Sequence, residues 1–265
     1  MEKPTIGIIG GNGRMGALMA RLFTESGHEV SIFDAKNGPV DWEKAAANDV
    51  VLLSVPIPAF SEVVENLGPH TRPDGAVIDV SSVKAEPVRA MLAVCRGEVI
   101  GSHPLFGPNP PSLDGQIVFV CPARAGRWLA WFRDVLENSG LRTVEIEPEH
   151  HDRLMSRVQV LRHLFLFCFG RSLMRLDFDL RNHADLSGPW FSELVGLLSN
   201  QLRQRPDLYA DLALHNPAAS EVLDEFRNAA DEVAESFASG DRSRIVRLID
   251  EVSSYLAPAV RVTLP

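Results

Sequence analysis

Cysteine is scarce in this 265-residue chain. The three present, Cys95, Cys121 and Cys168, stand far apart and show no Cys-x-x-Cys spacing. That argues against a disulfide framework or a thiolate zinc site, and for reduced, mostly buried thiols; no metal is expected. Basic charge is also short. The 26 Lys and Arg against 35 Asp and Glu leave a formal net charge of −9. A nucleic-acid surface needs a surplus of cations to displace counterions, so no such partner is expected. Anionic small molecules stay open, because a few local cations or a helix N-terminus can hold them. Long apolar runs are missing too. Residues 50–60 are interrupted by Pro56 and Pro58, and residues 161–170 carry His163. Neither is long enough to span a bilayer. The N-terminus, Met-Glu-Lys-Pro, runs straight into a strand pattern, so no secretory leader and a cytoplasmic location are expected. What is present is ordinary for a globular protein: 45% hydrophobic and 23% charged residues. The length suits two domains with self-sufficient cores.

The first half alternates strand and helix patterns. Strands are expected at 5–9, 29–33, 50–55, 76–80, 99–100, 116–121 and 142–147, with helices at 15–26, 59–67, 83–94 and 127–139. Strand patterns without alternation, separated by helical segments, predict a parallel sheet covered on both faces. After Pro148 the pattern becomes helical: 151–176, 187–204, 206–214, 218–238 and 241–256. Breaks fall at Gly188-Pro189, Asn216-Pro217 and Gly240-Asp241. The expected organisation is therefore α/β: an N-terminal dinucleotide-binding domain over 1–148 and an all-α domain over 149–265.

The first strand runs into Gly11-Asn12-Gly13-Arg14-Met15-Gly16, a GxGxxG pattern. Gly11 is expected to make the tight turn, Gly13 to let backbone N–H groups approach a pyrophosphate, and Gly16 to let helix and strand pack closely. The following helix turns its positive end to the phosphates. The second strand ends at Asp34, 18 residues after Gly16, where a carboxylate accepts hydrogen bonds from ribose hydroxyls and repels a 2′-phosphate. Together these predict a Rossmann site that prefers NAD over NADP, although Lys36 and Arg14 could partly offset Asp34. Ser54-Val55-Pro56 and residues 79–84, Asp-Val-Ser-Ser-Val-Lys, occupy the carboxyl ends of later strands, where open α/β sheets bind ligands. Loop capping is the plainer reading of both.

Several segments resemble the prephenate dehydrogenase family. Residues 101–108, Gly-Ser-His-Pro-Leu-Phe-Gly-Pro, are similar to its HPxFGP signature. Ser54-Val55-Pro56-Ile57 resembles its SVPI segment and residues 81–84 its SVK. Glu149-His150-His151-Asp152 resembles its EHD with one added His, residues 159–163 its QxLRH, and 207–211 a segment of its helical domain. The match runs in order over nearly the whole chain. It is nearest to the branch often fused to chorismate mutase, and a monofunctional enzyme is expected because the sheet pattern begins at residue 5.

The resemblance implies oxidation of prephenate at its C4 hydroxyl, with hydride passing to NAD+ and the ring carboxylate leaving as CO2. That reaction needs an acceptor for the hydroxyl proton, and a neutral imidazole suits neutral pH. By the family match His103 takes this role, in a loop after a strand. Ser82 is expected to bond the hydroxyl or orient His103. Lys84 either contributes electrostatically or caps a helix. His151, Gln159 and His163 fall at spacings of eight and four along one expected helix, so they share a broad face. The resemblance assigns that face, with Arg162, to the substrate pocket; a satisfied core histidine is the alternative for His163. His150 reads as surface.

One position departs from the family. It carries an Arg that binds a substrate carboxylate where residues 186–194 place Ser192. Losing a bidentate anchor costs about 1.5–3 kcal/mol unless it is replaced. Arg157, Arg162 or Arg181 is expected to substitute, or the substrate is arogenate or 4-amino-4-deoxyprephenate. Two other readings compete. The first is a hydroxyacid or imine reductase of similar build; the hydroxyacid enzymes would use a Lys that the segment 149–176 lacks. A non-catalytic dinucleotide-binding regulator would have no reason to bring His103, Ser82 and His163 together. The family resemblance and the apolar helices imply a homodimer formed through the helical domain.

Overall fold

The computed structural model describes residues 3–183 and 188–263, with side chains as far as residue 258. The chain divides into two compact units, Met1–Pro217 and Ala218–Pro265. The first unit holds a seven-stranded sheet of β1 (Thr5–Ile9), β2 (Glu29–Phe33), β3 (Val50–Leu53), β4 (Ala76–Asp79), β5 (Glu98–Pro104), β6 (Ile117–Arg124) and β7 (Arg142–Glu145). Their order across the sheet is β2-β1-β3-β4-β5-β6-β7.

The apolar strand runs have a direct cause. All four residues of β3 are buried, because helices cover both faces of the sheet. Val50 and Leu52 join one core cluster with Phe23 and Phe132. Val51 and Leu53 join the other with Phe60, Val88 and Met91. Helices α1 (Arg14–Glu25) and α5 (Arg127–Asn138) supply the first cluster. Helices α2 (Trp42–Ala46), α3 (Phe60–Leu67) and α4 (Ala85–Val94) supply the second. Phe23 and Phe132 are fully buried, each worth about 1.5–3 kcal/mol. The short α2 had no sequence expectation; Asp41 starts it by accepting from the Lys44 N–H at 3.0 Å.

Two expectations need correction. The sheet is not wholly parallel, since β5 and β6 pair antiparallel. The segment 105–116 between them contains no helix, and without a crossover the chain returns in the opposite direction. Strand β5 also runs on past residue 100 to Pro104, so His103 sits in the sheet opposite Phe119 rather than in a loop. Pairing with β6 carries the strand on to Pro104 and buries His103 there.

Beyond β7 the first unit continues with α6 (Pro148–Met155), α7 (Arg162–Arg175), α8 (Leu180–His183), α9 (Gly188–Gln201) and α10 (Pro206–His215). The single helix expected over 151–176 is interrupted: residues Ser156–Leu161 form a π-helical turn. Ser187, at the start of the helix expected over 187–204, lies outside the described residues, as does Leu186 in the stretch aligned with the family Arg. The second unit consists of α11 (Ala219–Ala238) and α12 (Arg242–Thr263). Within it Phe237, Leu248, Ile249, Val252 and Leu256 line an open apolar groove. No helix among the described residues is long and apolar enough to cross a membrane.

Candidate active site

The sheet order reverses at β1, with β2 on one side and β3 on the other. In open α/β sheets a crevice forms at this switch point, beyond the carboxyl ends of the strands. Gly11, Asn12, Gly13, Arg14, Met15 and Gly16 form the turn from β1 into α1, and Ser54, Val55 and Pro56 follow β3 beside it. The tight turn belongs to Gly10, not to Gly11 as the motif suggested: Gly10 has φ +81°, and a Cβ there would lie 2.2 Å from the Ser54 carbonyl oxygen. The Gly10 carbonyl accepts from the Gly13 N–H at 3.0 Å. A Cβ on Gly16 would approach that same oxygen to 2.4 Å, so the helix can pack this close to the turn only with glycine at 16. No side chain caps the N-terminus of α1, and no acid sits in its first turn, so its N–H groups are available to an anion. Asp34 at the end of β2 accepts from the Asn12 N–H through Oδ2 and from the Lys36 N–H through Oδ1, each at 3.0 Å. Arg14 is turned away from Asp34 and donates to Gln204 Oε1 at 2.7 Å.

A second group lies at the carboxyl ends of β4 and β5. His103 and His151 are both buried, with His103 Nδ1 2.9 Å from His151 Nε2 and ring centroids 5.0 Å apart. His151 Nδ1 lies 2.8 Å from Asp152 Oδ1. The Asp152 carboxylate also accepts from the N–H groups of Lys84 and Ala85, at 2.8 and 2.9 Å, at the start of α4. Asn216 secures the Asp152 carbonyl from the other side at 2.9 Å. Burial, with the nearby charges of His151 and Lys84 adding to it, holds the His103 imidazole well below its ordinary 6.5, so it is neutral. Burial also lowers His151, against the opposing pull of its bond to Asp152.

Lys84 is fully buried. Its ammonium is bound by Asp79, also fully buried, and donates to the Ser102 carbonyl at 2.6 Å. Asp79 Oδ1 further accepts from the Ser81 N–H and hydroxyl at 2.9 and 2.6 Å, while Asp79 Oδ2 has no partner among the described residues. Lys84 thus braces the β4 and β5 ends from beneath. The Ser82 side chain is half-buried in the loop between Asp79 and Lys84.

The other sequence candidates make no hydrogen bond or ring contact with this group among the described residues. His163 is buried on α7, where Arg162 Nη2 donates to its Nε2 at 2.9 Å and the Tyr209 ring meets it edge-on with centroids 4.8 Å apart. Burial, aided by Arg162, lowers His163 to about 4. Gln159 lies in the π-helical turn with Oε1 buried and without a partner among the described residues. The wider turn shifts the register by about one residue, so the even spacing expected from His151 to His163 is lost; such turns are frequent at functional sites. Ser192 and Arg181 are exposed, Ser192 bonding the Gly188 carbonyl at 3.1 Å. Arg157 is exposed and donates to the Arg153 carbonyl at 3.2 Å. His150 is exposed.

Asp152 was missed as a site residue. Its signal was its place directly after His151 in the Glu149–Asp152 segment. Among the described residues no group of three or more His, Cys, Asp or Glu side chains is placed to hold a metal.

Residues 21–145 match the profile described as prephenate dehydrogenase, nucleotide-binding domain, and residues 147–251 match prephenate dehydrogenase, dimerization domain. The chain is 31% identical over 270 residues to a probable arogenate/prephenate dehydrogenase of Methanocaldococcus jannaschii, covering 95% of this chain and 60% of that protein. It is 31% identical over 248 residues to the T-protein of Haemophilus influenzae, covering 94% of this chain and 66% of that one. It thus spans about three fifths to two thirds of the length of these relatives. The fold is similar to that of A. aeolicus prephenate dehydrogenase in complex with hydroxyphenyl propionate and NAD+, with TM-score 0.75, 21% identity, and coverage of 98% of this chain and 99% of that one.

Proposed function

The chain belongs to the prephenate dehydrogenase family, and from that premise we propose that it oxidatively decarboxylates prephenate with NAD+ as acceptor. The observation that carries the reading is a neutral, buried His103 whose Nδ1 is held by His151, with no hydrogen bond to its Nε2 among the described residues.

The residues present fit a dinucleotide. The turn leaves no room for a side chain at Gly10, Gly11 or Gly16, α1 presents uncapped N–H groups, and Asp34 stands where a ribose diol would be met. Gly11, Gly13, Arg14 and Gly16 would hold the pyrophosphate, Asn12 and Asp34 the ribose, and Ser54, Val55 and Pro56 would border the nicotinamide side. Once bound, NAD+ supplies the acceptor for the hydride leaving C4. The work of the protein is the proton and the geometry. His103 Nε2 accepts the proton of the C4 hydroxyl as the carbon–oxygen bond gains double-bond character. The ring carboxylate departs as CO2, its bonding pair completes the aromatic ring and leaves the C4 oxygen as a phenolate, and that oxygen takes the proton back from His103 to give 4-hydroxyphenylpyruvate. Ser82, in the loop between Asp79 and Lys84, bonds the same substrate oxygen. His163, Gln159 and Arg162 form the pocket wall, and Arg162 supplies the cation that Ser192 does not. His151 positions His103. A second copy of the chain, meeting this one through the apolar helices, completes a homodimer.

The test is absorbance at the NADH band with prephenate and NAD+, then NADP+. The expected result is one NADH and one CO2 per prephenate, with NADP+ a poor substitute because Asp34 repels a 2′-phosphate. Turnover of arogenate or 4-amino-4-deoxyprephenate in preference to prephenate would move the substrate and leave the chemistry. No reduction with any of the three would end the reading.

A further inference from the structure

The bonds around Asp152 do more than join two helices. A carboxylate only accepts hydrogen bonds, and this one has three donors: the N–H groups of Lys84 and Ala85, and the ring of His151. The two backbone donors cannot reverse, so His151 must carry its proton on Nδ1. Its Nε2 is then a lone pair. That nitrogen lies 2.9 Å from His103 Nδ1, which must in turn carry the proton of the neutral His103 ring. The lone pair of His103 is thereby placed on Nε2.

We propose that Asp152 is a positioning residue that sets the tautomer of both imidazoles, so that His103 offers a bare Nε2 to the substrate hydroxyl. Asp152 touches neither substrate nor cofactor; it acts through His151. It also ties that choice to the start of α4, so the two rings and the loop carrying Ser82 are held by one carboxylate. When the hydroxyl proton reaches His103 Nε2, the positive charge spreads along the chain toward Asp152, which stabilises it. The charged and titratable groups facing this pair are Lys84 ahead of α4, Asp79 at the end of β4, and Asp152 itself on α6. Lys84 opposes protonation of the rings, and the two aspartates favour it.

This inference rests on the proposed role of His103, and the test keeps the two apart. D152N offers one acceptor oxygen where the carboxylate has two. Oδ1 takes both the Lys84 N–H and His151 while Oδ2 takes the Ala85 N–H. With its NH2 at the Oδ1 place the amide donates to His151, moving that ring's proton to Nε2 and forcing His103 to carry its own on Nε2. With its NH2 at the Oδ2 place it leaves the Ala85 N–H unpaired and removes the charge that stabilises the protonated rings. The expected result is a fall in kcat of about 10²-fold or more, by the logic of a wrong-tautomer histidine, with the KM for NAD+ unchanged within about twofold and D152E recovering part of the loss. The acid limb of the kcat profile should move as well, because the charge on the protonated pair loses its counter-ion. An independent readout uses the unaltered protein with NAD+ bound. Its 15N-histidine spectra, assigned with H103N and H151N, should show Nδ1–H on both residues. An Nε2–H signal at His103 in the unaltered protein overturns the proposal, whether or not D152N folds. So does a D152N protein with kcat within about threefold and an unmoved acid limb. If H103N itself keeps its activity, the catalytic reading has failed. If H103N is dead while D152N is fully active, only the inference about Asp152 has.

Discussion

Replacing Lys84 by Met tests how the floor of the site is held. Both Lys84 and Asp79 have side chains at 0% exposure. The ammonium satisfies the carboxylate and the Ser102 carbonyl at once. K84M keeps the length and apolar stem of the side chain but leaves Asp79 charged, buried and without its counter-ion. Breaking one side of a buried pair typically costs about 3–5 kcal/mol. The lower figure applies here, because Ser81 still donates twice to Oδ1. The expected loss is therefore about 3 kcal/mol, a large share of an ordinary domain's stability. Urea titration read through Trp128 and Trp131, which pack in or against the core of the same unit, should show a lowered midpoint at unchanged slope. The double variant K84M/D79L should recover to within about 1 kcal/mol of the unaltered protein, since removing both charges removes the desolvation penalty. A K84M cost below about 1 kcal/mol, or a double variant no better than the single, would refute the claim that this pair is desolvated and mutually dependent.

Two further outcomes follow from the geometry. G10A places a methyl group against the Ser54 carbonyl oxygen in a backbone region that disfavours side chains, costing about 1–3 kcal/mol in strain alone; NAD+ affinity measured by fluorescence quenching should weaken about tenfold or more, and unchanged affinity would contradict the turn as described. Stability should also depend on pH through His163. Its imidazole titrates at about 4 when folded and near 6.5 when unfolded. The unfolded chain therefore binds the proton first, so stability holds above about 6.5, falls as pH drops toward about 4, and levels below that. The swing is of order 3 kcal/mol, and H163N should flatten that part of a melting-temperature profile.

The sheet was readable over residues 5–100 because buried parallel strands need continuous apolar runs, and Val50–Leu53 and Ala76–Asp79 supply them; the extension of β5 to Pro104 was not. The reversal at β6 was not, since direction depends on whether a helix fills the connection, and residues 105–116 carry turn signals without saying which way they lead. His103 was identified by the company of Pro104 and Gly107, but its neighbours were not. His151 lies 48 residues further on, and no local periodicity records that they meet. The π-helical turn was equally invisible, because Ser156–Leu161 contains neither Gly nor Pro to mark it. Asp152 was passed over for the same reason that Lys84 was left between two roles: a charge is assigned by its partners, and both partners are distant in sequence.

The proposed chemistry turns on one atom, Nε2 of His103. Single-turnover formation of NADH from prephenate by H103N, under saturating NAD+, tests it directly. The expected result is intact NAD+ binding with the rate lowered about 10²–10⁴-fold. A rate within about tenfold of the unaltered protein would show that the hydroxyl proton goes elsewhere, and the proposed mechanism would be wrong.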